Sequence, residues 1–389
     1  MIDEGRSTGN ELVHLFNWLR DAAWPLWLEH GVDWAKRGFH EELDLSNLRC
    51  EVDSRRLRVA ARQVFVFSEA HRASLPGAAE AVEIGVDFLL RHARGEDGGY
   101  AQRFDLDGAV LDATRDLYDH AFVLLAFASA AGVLAKEPMR RCALDLMGYL
   151  DQHLAHPAGG YSESRPPRLP RRQNPHMHLL EACLAAAQSF GDDIFLRRAG
   201  ELGELFLDRL LDPVTGTLPE AFDDSLSPLR DGGRHAVEPG HHSEWVWLLD
   251  WLGRLPTPAA RRRTELEEAS ARLLRFVDRH GVNPRMGTLF DEVWSDGTPK
   301  AARSRLWPQT EWLKAAVLRR DAEEAGILAA LRALARHLRA PVPGLWHERL
   351  DERGEPLDQP APASSLYHLT AGILIAHRHV KRGAARDAF

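Results

Sequence analysis

Two segments of this 389-residue chain share the spacing His-x-x-Glu. One is His178 with Glu181 in Gln-Asn-Pro-His-Met-His-Leu-Leu-Glu (173–181); the other is His241 with Glu244 in Pro-Gly-His-His-Ser-Glu-Trp (239–245). Residues three apart on a helix share a face, so each pair sets a carboxylate beside an imidazole. His176, two residues from His178, cannot share that face. A third histidine, His368, ends Ser-Ser-Leu-Tyr-His (364–368), and another acid, Glu311, ends Leu-Trp-Pro-Gln-Thr-Glu (306–311). Imidazoles titrate near neutrality and suit general acid–base work. Near the start of a helix the positive end of the dipole disfavours the imidazolium, leaving a neutral ring able to accept a proton. Two such bases flanking a substrate suit proton abstraction beside a carbonyl, with Arg62 stabilising the oxygen that gathers charge.

Other chemistries compete for these residues. Three histidines with Glu181 and Glu244 could ligate a metal, but HExxH is absent and the His-x-x-Glu order reverses the Glu-x-x-His of di-iron bundles. The expectation is therefore no metal. A Ser or Cys nucleophile has less support, because GxSxG is missing and Cys50, Cys142 and Cys183 lie away from these segments. Glu244 and Glu311 as an acid pair for glycoside hydrolysis form the serious competitor. A carbohydrate-binding barrel without catalysis is the third reading. Trp307 and Trp346, among eleven tryptophans, are the candidates for stacking on a sugar face.

The elements that must position these residues emerge from an internal repeat. A glycine followed closely by an aromatic or Leu, and usually an acid, recurs at Gly38, Gly99, Gly160, Gly216, Gly287 and Gly344, with spacings of 61, 61, 56, 71 and 57 residues. Between successive glycines lie two amphipathic helical patterns: 47–72 with 77–92, 115–133 with 137–154, 175–190 with 193–211, 242–253 with 259–280, and 306–319 with 321–339. The last helix, about 364–380, pairs with the first, about 10–30. Asn174 followed by Pro175 looks like an N-cap with Pro at the first helical position. Six repeats of two helices predict an all-α (α/α)6 barrel spanning residues 1–389 as one domain, with short β-hairpins at the mouth; a linear solenoid is the alternative. Arg62, Tyr118, His178, His241, Glu311 and His368 each fall early in the first helix of a repeat. Closing the ring would make them converge on one cleft.

Composition narrows the surroundings. A net charge of −8 offers no basic footprint for nucleic acid. Three scattered cysteines fit a reduced compartment rather than a disulfide framework. The N-terminal residues hold early acids without an apolar stretch, and the longest apolar run, 121–135, falls short of the roughly 18 residues a membrane span needs. The expectation is a cytoplasmic protein without a membrane partner, monomer or homodimer. Only five of 49 basic residues are Lys, and no phosphate loop of the GxxxxGK[ST] type occurs.

Taken together, Arg58–Ser68, Asp116-Leu-Tyr-Asp-His-Ala-Phe122, Asn174–Ala182, Pro239–Leu249, Leu306–Glu311, Trp346-His-Glu348 and Ser365-Leu-Tyr-His368 resemble the N-acylglucosamine 2-epimerase superfamily of sugar epimerases and isomerases over nearly the whole chain. That resemblance implies an (α/α)6 fold and two histidines, His241 and His368, acting on an opened aldose through a cis-enediolate. It implies that His178 assists, that Arg62 meets the sugar oxygens, and that Glu244 and Glu311 support. Tyr118, Asn174, Glu181, Trp307 and Trp346 would complete the sugar site, with no cofactor. The 173–182 string is similar to that of the D-mannose isomerases, which interconvert mannose and fructose; lyxose and xylulose are related substrates. Sugar 2-epimerases share the same motifs. One departure is Arg305-Leu306 where many relatives have Lys-Trp. Arg305, with Arg172, offers contacts to an anion on the sugar.

Overall fold

Each inner helix of this protein starts directly or one residue after a strand of two or three residues, and that strand is tied to the hairpin of the next repeat. The computed structural model describes residues 7–319 and 324–386. Helices alternate between an outer and an inner position: α1 (Thr8–Trp18), α2 (Leu57–Arg72), α3 (Ala78–Phe88), α4 (Leu117–Ala130), α5 (Lys136–His153) and α6 (Gln173–Phe190). The series continues with α7 (Asp193–Leu205), α8 (Pro239–Arg254), α9 (Arg263–Phe276), α10 (Leu306–Leu318), α11 (Glu324–His337) and α12 (Ala363–Arg386). The even-numbered helices form the inner ring. Each packs on the next, and α12 packs back on α2, so the ring is closed and the fold is an (α/α)6 barrel. Each odd-numbered helix packs outside an inner one, with α1 against α12.

Patterning explains the two layers. In α4 every residue except Tyr118 is buried, as a helix enclosed on all sides requires, whereas α9 buries only Leu266, Ala269 and Leu273 along one stripe. Outer helices α3, α7 and α9 end in single π-helical turns (Leu89–Ala93, Phe206–Leu210, Val277–Gly281), after which the chain turns extended toward the mouth. The strand before each inner helix then pairs antiparallel with a strand from the next hairpin. Ser54–Arg56 meets Arg103–Asp105, Ser304–Arg305 meets Arg349–Leu350, and Ala361–Pro362 returns to Glu42–Leu43, closing a second ring at the mouth.

The core accounts for several predicted residues. Trp346 is fully buried and stacks on Trp27, ring centroids 5.2 Å apart, in the layer between the α1 extension and the barrel. Gly344 beneath it has φ +99° and a Cβ there would fall 2.7 Å from the carbonyl oxygen of Ala22, so only glycine fits. The helix expected from residue 47 begins instead at Leu57, because Asp44 draws Ser46 and Asn47 into a side-chain-capped turn. Asn174 is not a cap either. The helix starts one residue before it, after Arg172, whose strand pairing sets the boundary. Residues 321–323 of the eleventh predicted helix lie outside the described residues. No helix among the described residues is long and apolar enough to cross a membrane.

Candidate active site

Because the six inner helices start at equivalent points, their residues fall into layers. The sixth residue of each is Arg62, Phe122, His178, Glu244, Glu311 and His368, and all are buried. His241 and Tyr118 sit about one turn nearer the mouth, as the third and second residues of their helices. One turn deeper, the ninth residues are Phe65, Leu125, Glu181, Trp247, Lys314 and Ala371. Amphipathic spacing of i, i+3 therefore links the layers into vertical pairs, with His241 above Glu244, His178 above Glu181, and Glu311 above Lys314.

Each imidazole is held by a carboxylate through Nδ1. His178 donates to Glu181 Oε2 (3.0 Å), His368 to Glu311 Oε1 (2.9 Å) and His241 to Glu220 Oε2 (2.8 Å). This fixes the ring orientation and leaves Nε2 as the reactive nitrogen of each neutral ring. The rings of His178 and His368 lie 6.4 Å apart, and Trp307 is in ring contact with both His241 (4.8 Å) and His368 (5.5 Å). Only 2% of His178 and 5% each of His241 and His368 is exposed. Trp307, half-buried, is the accessible aromatic of the cluster. It approaches α8 closely because residue 240 is glycine: a Cβ there would meet the indole at 2.8 Å.

Arg62 donates to the Tyr118 hydroxyl (2.6 Å) and to the Ser364 carbonyl (3.2 Å), with its guanidinium 4.1 Å above the Phe122 ring. Tyr367 donates to the second oxygen of Glu181. Glu311 is ion-paired with Lys314, whose ammonium also lies 4.2 Å from the centre of the Trp247 ring. Glu244 stands apart: it is fully buried and neither oxygen has a hydrogen-bond partner among the described residues.

These surroundings set the charges. Burial, with no carboxylate strong enough to offset it, pushes His178 down to about 4 despite its bond to Glu181. His368 is held well below the ordinary range by burial, then by Arg62, Lys314 and His178. In His241 burial works against the charge, yet Glu220 and Glu238 together raise it to about 9. The neutral ring expected at a helix start is found at His178 and His368, where burial and neighbouring cations are the cause, and not at His241, where two carboxylates raise it. Glu244 is pushed well above the carboxylate range by burial and by the negative charge of Glu311, which favours its protonated form.

Of the residues singled out in the sequence, His178, His241, His368, Arg62, Tyr118, Glu181, Glu244, Trp307 and Glu311 come together. Asn174 lies at the mouth end of α6 with its amide oxygen unpartnered, and Trp346 is in the core. Arg305 is held by Asp291 and by Glu238 (2.7 Å), which leaves Arg172, exposed on its strand, as the remaining anion candidate of the two. His176 accepts the Tyr161 amide (3.0 Å) and is structural, as are His120 and His242 in the neighbouring repeats. Two residues were missed. Glu220 is the acid of the fourth glycine segment, a signature read only as a turn marker. Lys314 is three residues beyond Glu311, the helical ion-pair spacing.

The paired acids do not suit glycoside hydrolysis. Both side chains are sealed from solvent, and Glu311 is committed to Lys314 and His368, which leaves neither acid open to a glycosidic bond and water.

The N-acylglucosamine 2-epimerase (GlcNAc 2-epimerase) family matches residues 38–372. A mannose-6-phosphate isomerase from Rhizobium meliloti (strain 1021) is 37% identical over 95% of this chain and 97% of its own length. A D-mannose isomerase from Thermobifida fusca is 30% identical over 86% of this chain and 89% of its own. The crystal structure of a D-mannose isomerase superposes with a TM-score of 0.84, covering 97% of this chain and all of that one at 20% identity, which supports the fold. A ring of six inner helices that gathers three carboxylate-held imidazoles thus belongs to the N-acylglucosamine 2-epimerase family, and the chain is an enzyme of its sugar isomerase and epimerase kind.

Proposed function

We propose that this enzyme is an aldose–ketose isomerase for sugars of the mannose configuration, interconverting mannose and fructose or their 6-phosphates without a metal. The observation that carries the reading is two carboxylate-held imidazoles, His241 and His368, flanking one tryptophan, with two acids favouring the charged form of the first and burial and cations the neutral form of the second. The names of the two relatives support the mannose configuration.

In this reading His241 gives its proton to the ring oxygen as the C1–O5 bond breaks and takes the O1 hydroxyl proton in return, so the C1 carbonyl forms and the opened sugar stacks against Trp307. Neutral His368 takes the proton from C2 through Nε2. The electron pair becomes the C1–C2 double bond, and charge gathers on O1 beside Arg62. Neutral Glu244 donates its proton to O1 and takes the O2 proton, while His368 returns the first proton to C1. His178, fixed by Glu181, adjoins the same atoms as a second acceptor. Each proton is accounted for, and no oxidant or reductant is consumed.

Three groups bring ligand atoms within 4.8 Å: His178–Glu181–Glu244, Glu220–Glu238–His241 and Glu244–Glu311–His368. Metal independence is favoured because the cluster carries its own cation, Lys314 on Glu311.

The test is NMR of mannose and mannose 6-phosphate incubated with the enzyme in heavy water. Fructose or its phosphate labelled at C1 is the expected product. Label confined to C2 of an aldose would make the enzyme a 2-epimerase, and no label with either sugar would overturn the reading. The better of the two substrates decides whether the sugar carries an anion.

A further inference from the structure

Lys314 is fully buried, one of five lysines in the chain, and lies one turn below the histidine layer. Burying an ammonium costs several kcal/mol unless it is paired, so its retention calls for a reason. Its partner is Glu311, whose other oxygen accepts the Nδ1 proton of His368 at 2.9 Å. The Trp247 face, 4.2 Å away, supplies a second contact to the charge. No atom of Lys314 needs to touch substrate for it to matter.

We propose that Lys314 is a positioning residue that acts through Glu311 to hold His368 in the tautomer that can accept a proton. The logic is that of a fixed relay. With the ammonium in place Glu311 is a carboxylate, so it can only accept, and His368 must present its proton on Nδ1 and its lone pair on Nε2. Without it, Glu311 is buried among Glu244 from α8, Glu181 from α6, and His368 and Tyr367 from α12, with Arg62 of α2, Tyr118 of α4, His178 of α6 and His241 of α8 also facing the cluster. Burial and the Glu181 carboxylate then oppose its charge, and protonation is the relief. A protonated Glu311 donates to Nδ1, the ring proton moves to Nε2, and the base becomes a donor aimed at the sugar. Lysine suits this place better than arginine, because a compact ammonium fits between a carboxylate and an indole face.

The inference rests on the proposed role of His368, but its first readout needs no substrate. In imidazole-¹⁵N-labelled enzyme, His368 is expected on Nδ1–H in the wild type and on Nε2–H in Lys314→Met near neutral pH. With the sugar that proves active, Lys314→Met should lower kcat about 10²-fold with KM changed less than about threefold, and its acidic limb should move to higher pH. Lys314→Met combined with Glu311→Gln removes the unpaired buried charge while keeping an oxygen for Nδ1. It should fold, return His368 to Nδ1–H and recover activity over the single variant. An unchanged tautomer and acidic limb in Lys314→Met would overturn the proposal. If the single variant does not fold, a double variant with His368 on Nε2–H, or with its acidic limb raised, would do the same. Correct tautomers with no turnover of any sugar would instead count against the proposed function.

Discussion

His241 and His368 make the same hydrogen bond, Nδ1 to a glutamate at 2.8 and 2.9 Å, and end with opposite charge. The difference lies one shell further out. Behind Glu220 stands a second carboxylate, Glu238, 3.8 Å from the ring and itself paired with Arg305. Behind Glu311 stands Lys314, and Arg62 faces the His368 ring from α2. A carboxylate whose charge is already matched by an ammonium has little left to stabilise an imidazolium, whereas Glu220, bonded directly to the ring, and Glu238, shared with Arg305, together outweigh burial. Identical contacts thus yield an acid and a base in one cleft, as acid–base catalysis near neutrality requires.

The most severe way to break this contrast is to remove either ring. His241→Ala and His368→Ala should each lower kcat/KM by about 10²–10⁴-fold, with folding judged by thermal melts. Deleting one charge behind the acid sharpens it. Glu220→Gln takes away the larger of the charges that raise His241, so the basic limb of the kcat/KM profile, expected near pH 9 in the wild type, should move to lower pH. The sign follows from the need for a protonated His241: activity is present below its pKa and lost above it. The acidic limb, set by His368, should stay in place.

Smaller effects divide the tryptophans. Trp307→Ala should raise KM while leaving the melting temperature nearly unchanged, since the ring is half-buried between the two histidines. Trp346→Ala should do the reverse, losing about 3–5 kcal/mol of stability with KM little altered. Gly240→Ala, which drives a methyl into Trp307, should resemble a mild form of the former. The smallest expected effect is that of EDTA. Turnover after exhaustive chelation should equal that before, and a loss restored by a divalent ion would give the carboxylate groups a metal role.

Much of the site was legible because helical periodicity projects through a closed ring. The His-x-x-Glu pairs at 178/181 and 241/244 pointed to shared faces, and the common phase within each repeat pointed to one layer. Phase counted from the glycines mixed two layers, since the hairpins differ in length. Counted from the helix starts, Tyr118 and His241 separate from the sixth-residue ring. Glu220 escaped because it sits on a hairpin from a different stretch than His241, 21 residues earlier, and no local pattern links them. Trp346 was misjudged because an aromatic beside a mouth glycine can face either the cleft or the barrel wall, and only packing against Trp27 decides which.

By itself the sequence determined the twelve helices, their pairing into six repeats and the identity of the imidazoles that could act, because those follow from periodicity and residue chemistry along one segment. Only the tertiary structure decided which carboxylate holds which ring and therefore which histidine is charged. That choice depends on groups from different helices and hairpins meeting in a medium of low dielectric constant, where one added ammonium or carboxylate a few ångströms away outweighs anything local.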